Sequence, residues 1–371
     1  MPTITNRATS ASTLFALHED WSDAAAWDDF VVRHAESRFC HLFKYSETVR
    51  CYGYRPRRVA FTHRDAQRYG EIAALLPFTE TSNYGYGRRL ISQPFCEYGG
   101  LLMDARLSGV EIELLIETLQ RYLAAAMPQA VLEIHGNLGV PPEQRELFVQ
   151  RNPHLLALLP LDGGSDHLWK KIIKYETRKA VNQARRADVT VVQECNQDVI
   201  RQHFFPLYSA SMKRLGVPPH NIQYYLDCER MLGQRMQIFW AIKDSKRIAA
   251  LLGFNSGVRT AIINTVSDPA CWQYRPNDLL HWEYVCNALE RGCAYFDFGS
   301  VRYEGQRLFK SKWGCSFIDQ AYGFLAARSQ SVRTFNSSSS TMERLSHVWA
   351  RYVPQRLADR LGPTIRQVLA R

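Results

Sequence analysis

Two side chains in the stretch Asp297-Phe-Gly-Ser-Val-Arg-Tyr-Glu-Gly-Gln-Arg-Leu-Phe-Lys310-Ser-Lys-Trp-Gly314 have the type and setting for chemistry. Asp297 lies in a strand-like aromatic run, residues 294–298, just ahead of a Gly299-Ser300 turn. A carboxylate carried into sheet interior must find hydrogen-bond donors. The backbone N–H groups of residues 298–300 are at hand, so Asp297 either caps the turn or serves as a proton acceptor or substrate anchor at the strand's end. Lys310 stands between Phe309 and Trp313. A lysine held among aromatics fixes a positive charge where negative charge develops, as in the tetrahedral intermediate of acyl transfer to an amine. The alternative for Lys310 is a solvated surface lysine.

Other candidates are more dispersed. Arg214 follows a helix and precedes Leu215-Gly-Val-Pro-Pro219, a rigid turn suited to aiming a guanidinium at a phosphate or carboxylate. Glu97 and Tyr98 occupy the loop 95–100, where glycines let backbone approach a ligand closely. His34, His41, His135 and His281 show no spacing to a metal partner or a nucleophile and read as core or surface residues. Nine scattered cysteines without a Cys-x-x-Cys pair argue against a zinc site, and no metal is expected. Neither a nucleophile elbow, a phosphate loop nor a dinucleotide-binding glycine fingerprint is present.

Elements must position these residues. At 371 residues the chain is long enough for two domains. Residues 21–54 read as helices, residues 57–61 as a strand, and residues 71–78 as another ending near Pro77. Val110 to Met127 reads as an amphipathic helix, and Val131–His135 alternates as a strand does. A seam is expected at Pro141-Pro142 and over residues 155–164. The spacing then predicts one basic helix over residues 166–187, with seven lysines and arginines between Lys170 and Arg186 and with Arg178 among them. A strand at 189–192, a helix at 200–215, three strands between 237 and 266, a helix opened by Pro276-Asn277 and the strand at 294–298 follow. The pattern is α/β (α+β), in two halves of similar layout.

Boundaries are expected as a disordered leader (1–20), an N-terminal domain (21–160), a C-terminal domain (161–330), and a linker with a basic amphipathic tail (331–371). The tail either packs on the body or makes peripheral contact with an anionic membrane. The polar N-terminus points to a cytosolic protein, and the net charge of +10 suits a polyanionic partner such as tRNA, coenzyme A or an anionic lipid surface.

The stretches 175–185, 212–218, 275–282, 296–299 and 309–314 resemble FemABX-like proteins, and more closely a FemAB-related branch to which Pro94–Gly100 is also similar. The resemblance covers about residues 20 to 325. It implies two tandem GNAT-like domains, each a twisted mixed sheet flanked by helices, around an interdomain cleft. It also implies acyl transfer to an amine, with the lysine at Lys310 stabilising the oxyanion. Lys310 and Asp297 are therefore the catalytic candidates. Arg178, Arg214, Glu97, Tyr98, Asn277, Tyr303, Phe309 and Trp313 are the substrate-binding candidates. Ordinary GNAT enzymes hold the coenzyme A pyrophosphate on a glycine-rich turn opening the helix after their fourth strand. Here that turn, Cys271–Asp278, has no glycine. With the charge and the basic helix, this favours aminoacyl-tRNA as donor. An N-acyltransferase using acyl-coenzyme A or acyl carrier protein, and a non-catalytic GNAT-like scaffold, are the other readings.

Overall fold

The computed structural model describes residues 14–83, 87–128, 130–136, 140, 148–326 and 340–368. These divide into two compact units. The first holds the residues up to Pro153 together with the end of a late strand from Gln320 onward. The second holds His154–Asp319 and the C-terminal helices.

In the first unit, β1 (Phe15–His18), β2 (Arg55–His63), β3 (Ile72–Asn83) and β4 (Gly87–Ile91) form an antiparallel run, with the short β5 (Leu102–Met103) also on β3. Helix α1 (Ala24–Arg33) precedes β2. Helix α2 (Gly109–Ala126) starts on a Ser108/Glu111 capping box and buries Ile112, Leu115, Ile116, Leu119 and Leu123 against the sheet core. β6 (Val131–His135) then pairs parallel with β4. Its other edge takes residues 322–326 of a strand from the far end of the chain.

β7 (Val149–Pro160), which belongs to the second unit from His154 onward, leads through a short helical turn and a π-helical segment (Leu168–Ile172) into α3 (Tyr175–Arg186). β8 (Thr190–Gln193), α4 (Phe205–Arg214) and α5 (Ile222–Leu232) follow. β9 (Met236–Lys243), β10 (Lys246–Asn255) and β11 (Arg259–Ser267) then form an antiparallel meander with β8 outermost. Helix α6 (Pro276–Glu290) crosses this sheet and is buried almost all round, through Leu279, Leu280, Trp282, Tyr284, Val285 and Ala288. It returns the chain to β12 (Tyr295–Val301), parallel to β11 and antiparallel to β7. Helix α7 (Glu304–Ser311), β13 (Ser316–Ala326), α8 (Ser340–Tyr352) and α9 (Gln355–Val368) complete the chain. The two units thus repeat one plan: an antiparallel run, one parallel pairing, and a last antiparallel strand. They exchange that last strand. β7 follows the first unit in sequence but pairs with β12, while β13 follows the second and pairs with β6.

Several sequence expectations change. The leader expected over 1–20 gives way at Phe15–His18 to a strand paired with β2; residues 1–13 lie outside the described residues. β3 does not stop at Pro77. Residues 76–78 have neither β4 nor β5 opposite them, so the missing N–H costs nothing on that side. The seam expected over 155–164 is mostly strand, because Leu156 to Leu159 are buried in the second unit's sheet; Pro141-Pro142 lie outside the described residues. The single helix expected over 166–187 breaks at Ile173, whose backbone turns extended before α3 begins. Of the tail's two expected placements, the described residues show packing on the body. α8 and α9 both pack on α4, while residues 331–339 lie outside the described residues.

Candidate active site

Asp297 is fully buried, and its Oδ1 accepts the N–H of Gly299 at 2.7 Å. This bond closes a bulge. Between Asp297↔Leu158 and Ser300↔Leu156, three steps along β12 answer two along β7. Gly299 takes φ +75°, a left-handed conformation that costs glycine little. On the other side, the parallel register with β11 runs through Arg259↔Tyr295, Thr260↔Phe296 and Ala261↔Asp297 and stops there. Beyond it, residues 262–265 of β11 and Gly299 and Ser300 of β12 are half-buried. The two strands part at Asp297.

Lys310 reaches this point. Its Nζ donates to the carbonyls of Gly299 (2.9 Å) and Ser300 (2.7 Å). Helix α7 inverts the usual pattern: Lys310 is 7% exposed while Leu308 is 55% exposed. Lysine is almost never buried unless paired, and here the bulge carbonyls solvate the ammonium. The helix is held from behind. Lys174 N–H, at the break before α3, donates to Lys312 O at 2.9 Å, and Gly314 (φ +84°) lets the turn after α7 close on Ile172. Arg178 fixes that break by donating to Trp169 O (2.7 Å) and Lys170 O (3.1 Å). Arg178 is thus engaged with backbone.

His281, on α6, is the residue the sequence reading passed over. Its ring stacks on Phe298 (5.6 Å, 7° between planes) and meets Phe309 edge-on (5.4 Å) and Trp313 obliquely (5.7 Å). Nδ1 donates to Asn277 O at 2.5 Å. Burial pushes its pKa down to about 4; the Asn277 carbonyl opposes this and the Lys310 charge adds to it. The ring is therefore neutral at pH 7. Trp313 is fully buried and serves as a wall behind Phe298 and Phe309 rather than as a contact surface. Burial pushes the Cys315 thiol well up, with Lys310 opposing and Asp297 reinforcing, so Cys315 stays a protonated thiol beside both.

A second cluster lies at the end of β11. Ser267 Oγ accepts from Trp272 Nε1 (2.8 Å) and Asn277 Nδ2 (3.3 Å), and Arg214 lies over the Trp272 ring at 5.0 Å. Asn277 joins the two clusters, one through its side chain and the other through its carbonyl. The turn before α6 is 3₁₀-helical and ends at Arg275 in a left-handed conformation. Pro276 then supplies no N–H, and burial raises the Asp278 pKa against the pull of Arg275. Tyr303 is the exposed residue preceding α7.

Glu97 and Tyr98 belong to the first unit. Their loop is fastened by backbone bonds: Gln320 Nε2 donates to Glu97 O, His135 Nδ1 to Cys96 O (2.8 Å), and His41 Nε2 to Gly100 O (3.0 Å). Arg38 lies over the Tyr98 ring at 5.5 Å. His34 Nε2 donates to Met103 O at 2.8 Å. All four histidines named from the sequence therefore bond to main-chain carbonyls. A lone histidine's carbonyl partner carries no sequence signal, which is why His281 was missed.

Residues 170–311 match the acetyltransferase (GNAT) domain family. No curated protein sequence matches the chain significantly. Among solved structures, FemX is similar at 15% identity and TM-score 0.63, over 82% of this chain and 96% of that one. A conserved protein of unknown function from Bacteroides thetaiotaomicron is similar at 13% identity and TM-score 0.54, over 83% and 98%. The C-terminal domain of a candidate lysylphosphatidylglycerol synthetase from Agrobacterium fabrum is similar at 12% identity and TM-score 0.52, over 88% and 96%. Residues 170–311, which carry the parted strands and Lys310, thus match a GNAT acetyltransferase domain, and the chain as a whole has a fold similar to that of FemX.

Proposed function

We propose that the chain forms an amide bond by moving an aminoacyl group from aminoacyl-tRNA to an amine acceptor. The observation that carries this reading is the buried Lys310 ammonium, held on a strand bulge where β11 and β12 part. The acceptor amine attacks the ester carbonyl carbon, and negative charge gathers on the carbonyl oxygen. A preorganised cation there is worth roughly 10²–10³ in rate. Collapse breaks the ester C–O bond, and the proton lost by the amine passes through water to the leaving oxygen, which departs as the tRNA hydroxyl. Asp297 acts as a positioning residue that holds the bulge. Arg214 with Trp272 supports binding of the donor's phosphate or terminal base.

The start of α6 supports tRNA over a thioester. Pro276 removes one N–H from the first turn, and the Asp278 carboxyl stands where a pyrophosphate would need donors. One observation favours acyl-coenzyme A or acyl carrier protein instead. The edges of β11 and β12 beyond Asp297 suit an extended arm bearing amides. Purified protein supplied with charged tRNA, labelled amino acids and candidate amines, with and without ribonuclease, and in parallel with labelled acetyl-coenzyme A, decides between them. Ribonuclease-sensitive transfer is expected. Transfer from the thioester alone overturns the proposal.

A further inference from the structure

We propose that the outer faces of α8 and α9 bind an anionic lipid surface. Each helix is fastened inward. On α9, Asp359 accepts from Ser209 and from Gln355 Nε2, and Arg366 donates to Pro218 O (3.4 Å) and His220 Nε2 (3.0 Å). Ala358 and Gly362 are buried, Gly362 so close to Pro219 that a Cβ would lie 2.7 Å from its Cγ. On α8, Ser346 donates to Gly216 O at 2.8 Å. These contacts fix which faces look out.

The outward faces carry large apolar side chains at helical spacing: Leu345, Val348 and Tyr352 on α8, and Leu357, Leu361 and Val368 on α9. They are between 42% and 68% exposed. Arg344 and Arg351 flank the first stripe and Arg356 and Arg360 the second, all exposed, with Glu343 the exposed acid among them. The inward bonds of Asp359 take the other acid out of this balance.

Charge selects the occupant. A second copy would bring the same arginines face to face. RNA phosphates would pair with the arginines but leave six apolar side chains in water. Anionic headgroups meet the arginines while the leucines and valines enter the acyl boundary, and apolar area and charge then add. No helix among the described residues is long and apolar enough to cross a membrane, so this contact lies along the surface.

The test is co-sedimentation of the full chain with phosphatidylglycerol-containing vesicles and with pure phosphatidylcholine vesicles. Wild type should sediment with the first and stay in solution with the second. Arg356→Gln with Arg360→Gln should weaken partition about fivefold per arginine. Leu357→Ser with Leu361→Ser should weaken it as well, with melting temperature unchanged in both. Failure to sediment with anionic vesicles overturns the proposal. So does equal sedimentation of the leucine variant, which reduces the contact to charge adsorption. Lipid-free dimers abolished by the leucine substitutions, or tRNA retention lost in the arginine variant without vesicle binding, assign the face to a second copy or to RNA.

Discussion

Acid stability tests the site without knowledge of its substrates. Burial holds His281 at about 4 in the folded chain, against an ordinary value of 6.5. Between those values the unfolded chain binds a proton at this position and the folded chain does not. Stability is therefore fully present above about pH 6.5 and falls as pH drops toward 4. Below 4 both states are protonated and the loss is complete. At about 1.4 kcal/mol per pH unit the window is worth about 3 kcal/mol. His41 shares this behaviour, because burial, opposed by its bond to the Gly100 carbonyl and reinforced by Arg38, holds it at about 3. A difference between two proteins isolates the single site. His281→Phe keeps a ring on Phe298 and removes the titrating group. Urea unfolding of both proteins across pH 4 to 7.5 should show a wild-type slope steeper by nearly one proton between pH 5 and 6. The variant's absolute stability can shift without affecting that comparison. Parallel slopes refute the reasoning, because they mean that His281 takes a proton as readily in the fold as outside it.

Lys310→Met keeps the aliphatic stem and deletes the charge, and turnover should fall roughly 10²–10³-fold with little change in KM; full turnover removes Lys310 from the chemistry. Asp297→Ala strips the acceptor from the Gly299 N–H and should cost about 1–3 kcal/mol, whereas Asp297→Asn keeps an oxygen there and should cost less. Equal losses in thermal melting refute the turn-holding role. Gly253→Ala places a methyl 2.5 Å from Ala261 O and against Tyr284 Oη, where α6 crosses β10. It should destabilise by about 1–3 kcal/mol, and an unchanged melting temperature shows that α6 stands off the sheet.

The parts of the site visible in the sequence were those whose neighbours are near in the chain. Asp297, Gly299 and Lys310 fall within fourteen residues, and an acid in an aromatic strand before glycine signals a turn by local rules alone. Burial of Lys310 beside an exposed Leu308 was not visible, because it depends on which face of α7 the bulge carbonyls claim. His281 lies sixteen residues ahead of Asp297 and meets Phe298 only after α6 has crossed the sheet. The basic stretch 166–187 looked continuous because its charges follow helical spacing throughout. Its break at Ile173 is imposed by Lys312 and Gly314, which lie far along the chain. Leu156 to Leu159 read as a seam because their partner strand, β12, comes more than a hundred residues later.

The exchange of β7 and β13 makes the two halves of the polypeptide mutually dependent. A chain ended after residue 315 would synthesise β6 but never its neighbour, leaving an open apolar edge of the kind that recruits other chains. A chain begun after residue 160 would present β12, with the bulge that holds Lys310, bare on the side that β7 supports. Cutting the gene between its two similar parts therefore yields two incomplete sheets rather than two small proteins. Recovery of activity should require both fragments in one cell. During synthesis, the first unit must wait until residue 326 has been made before its last strand is in place.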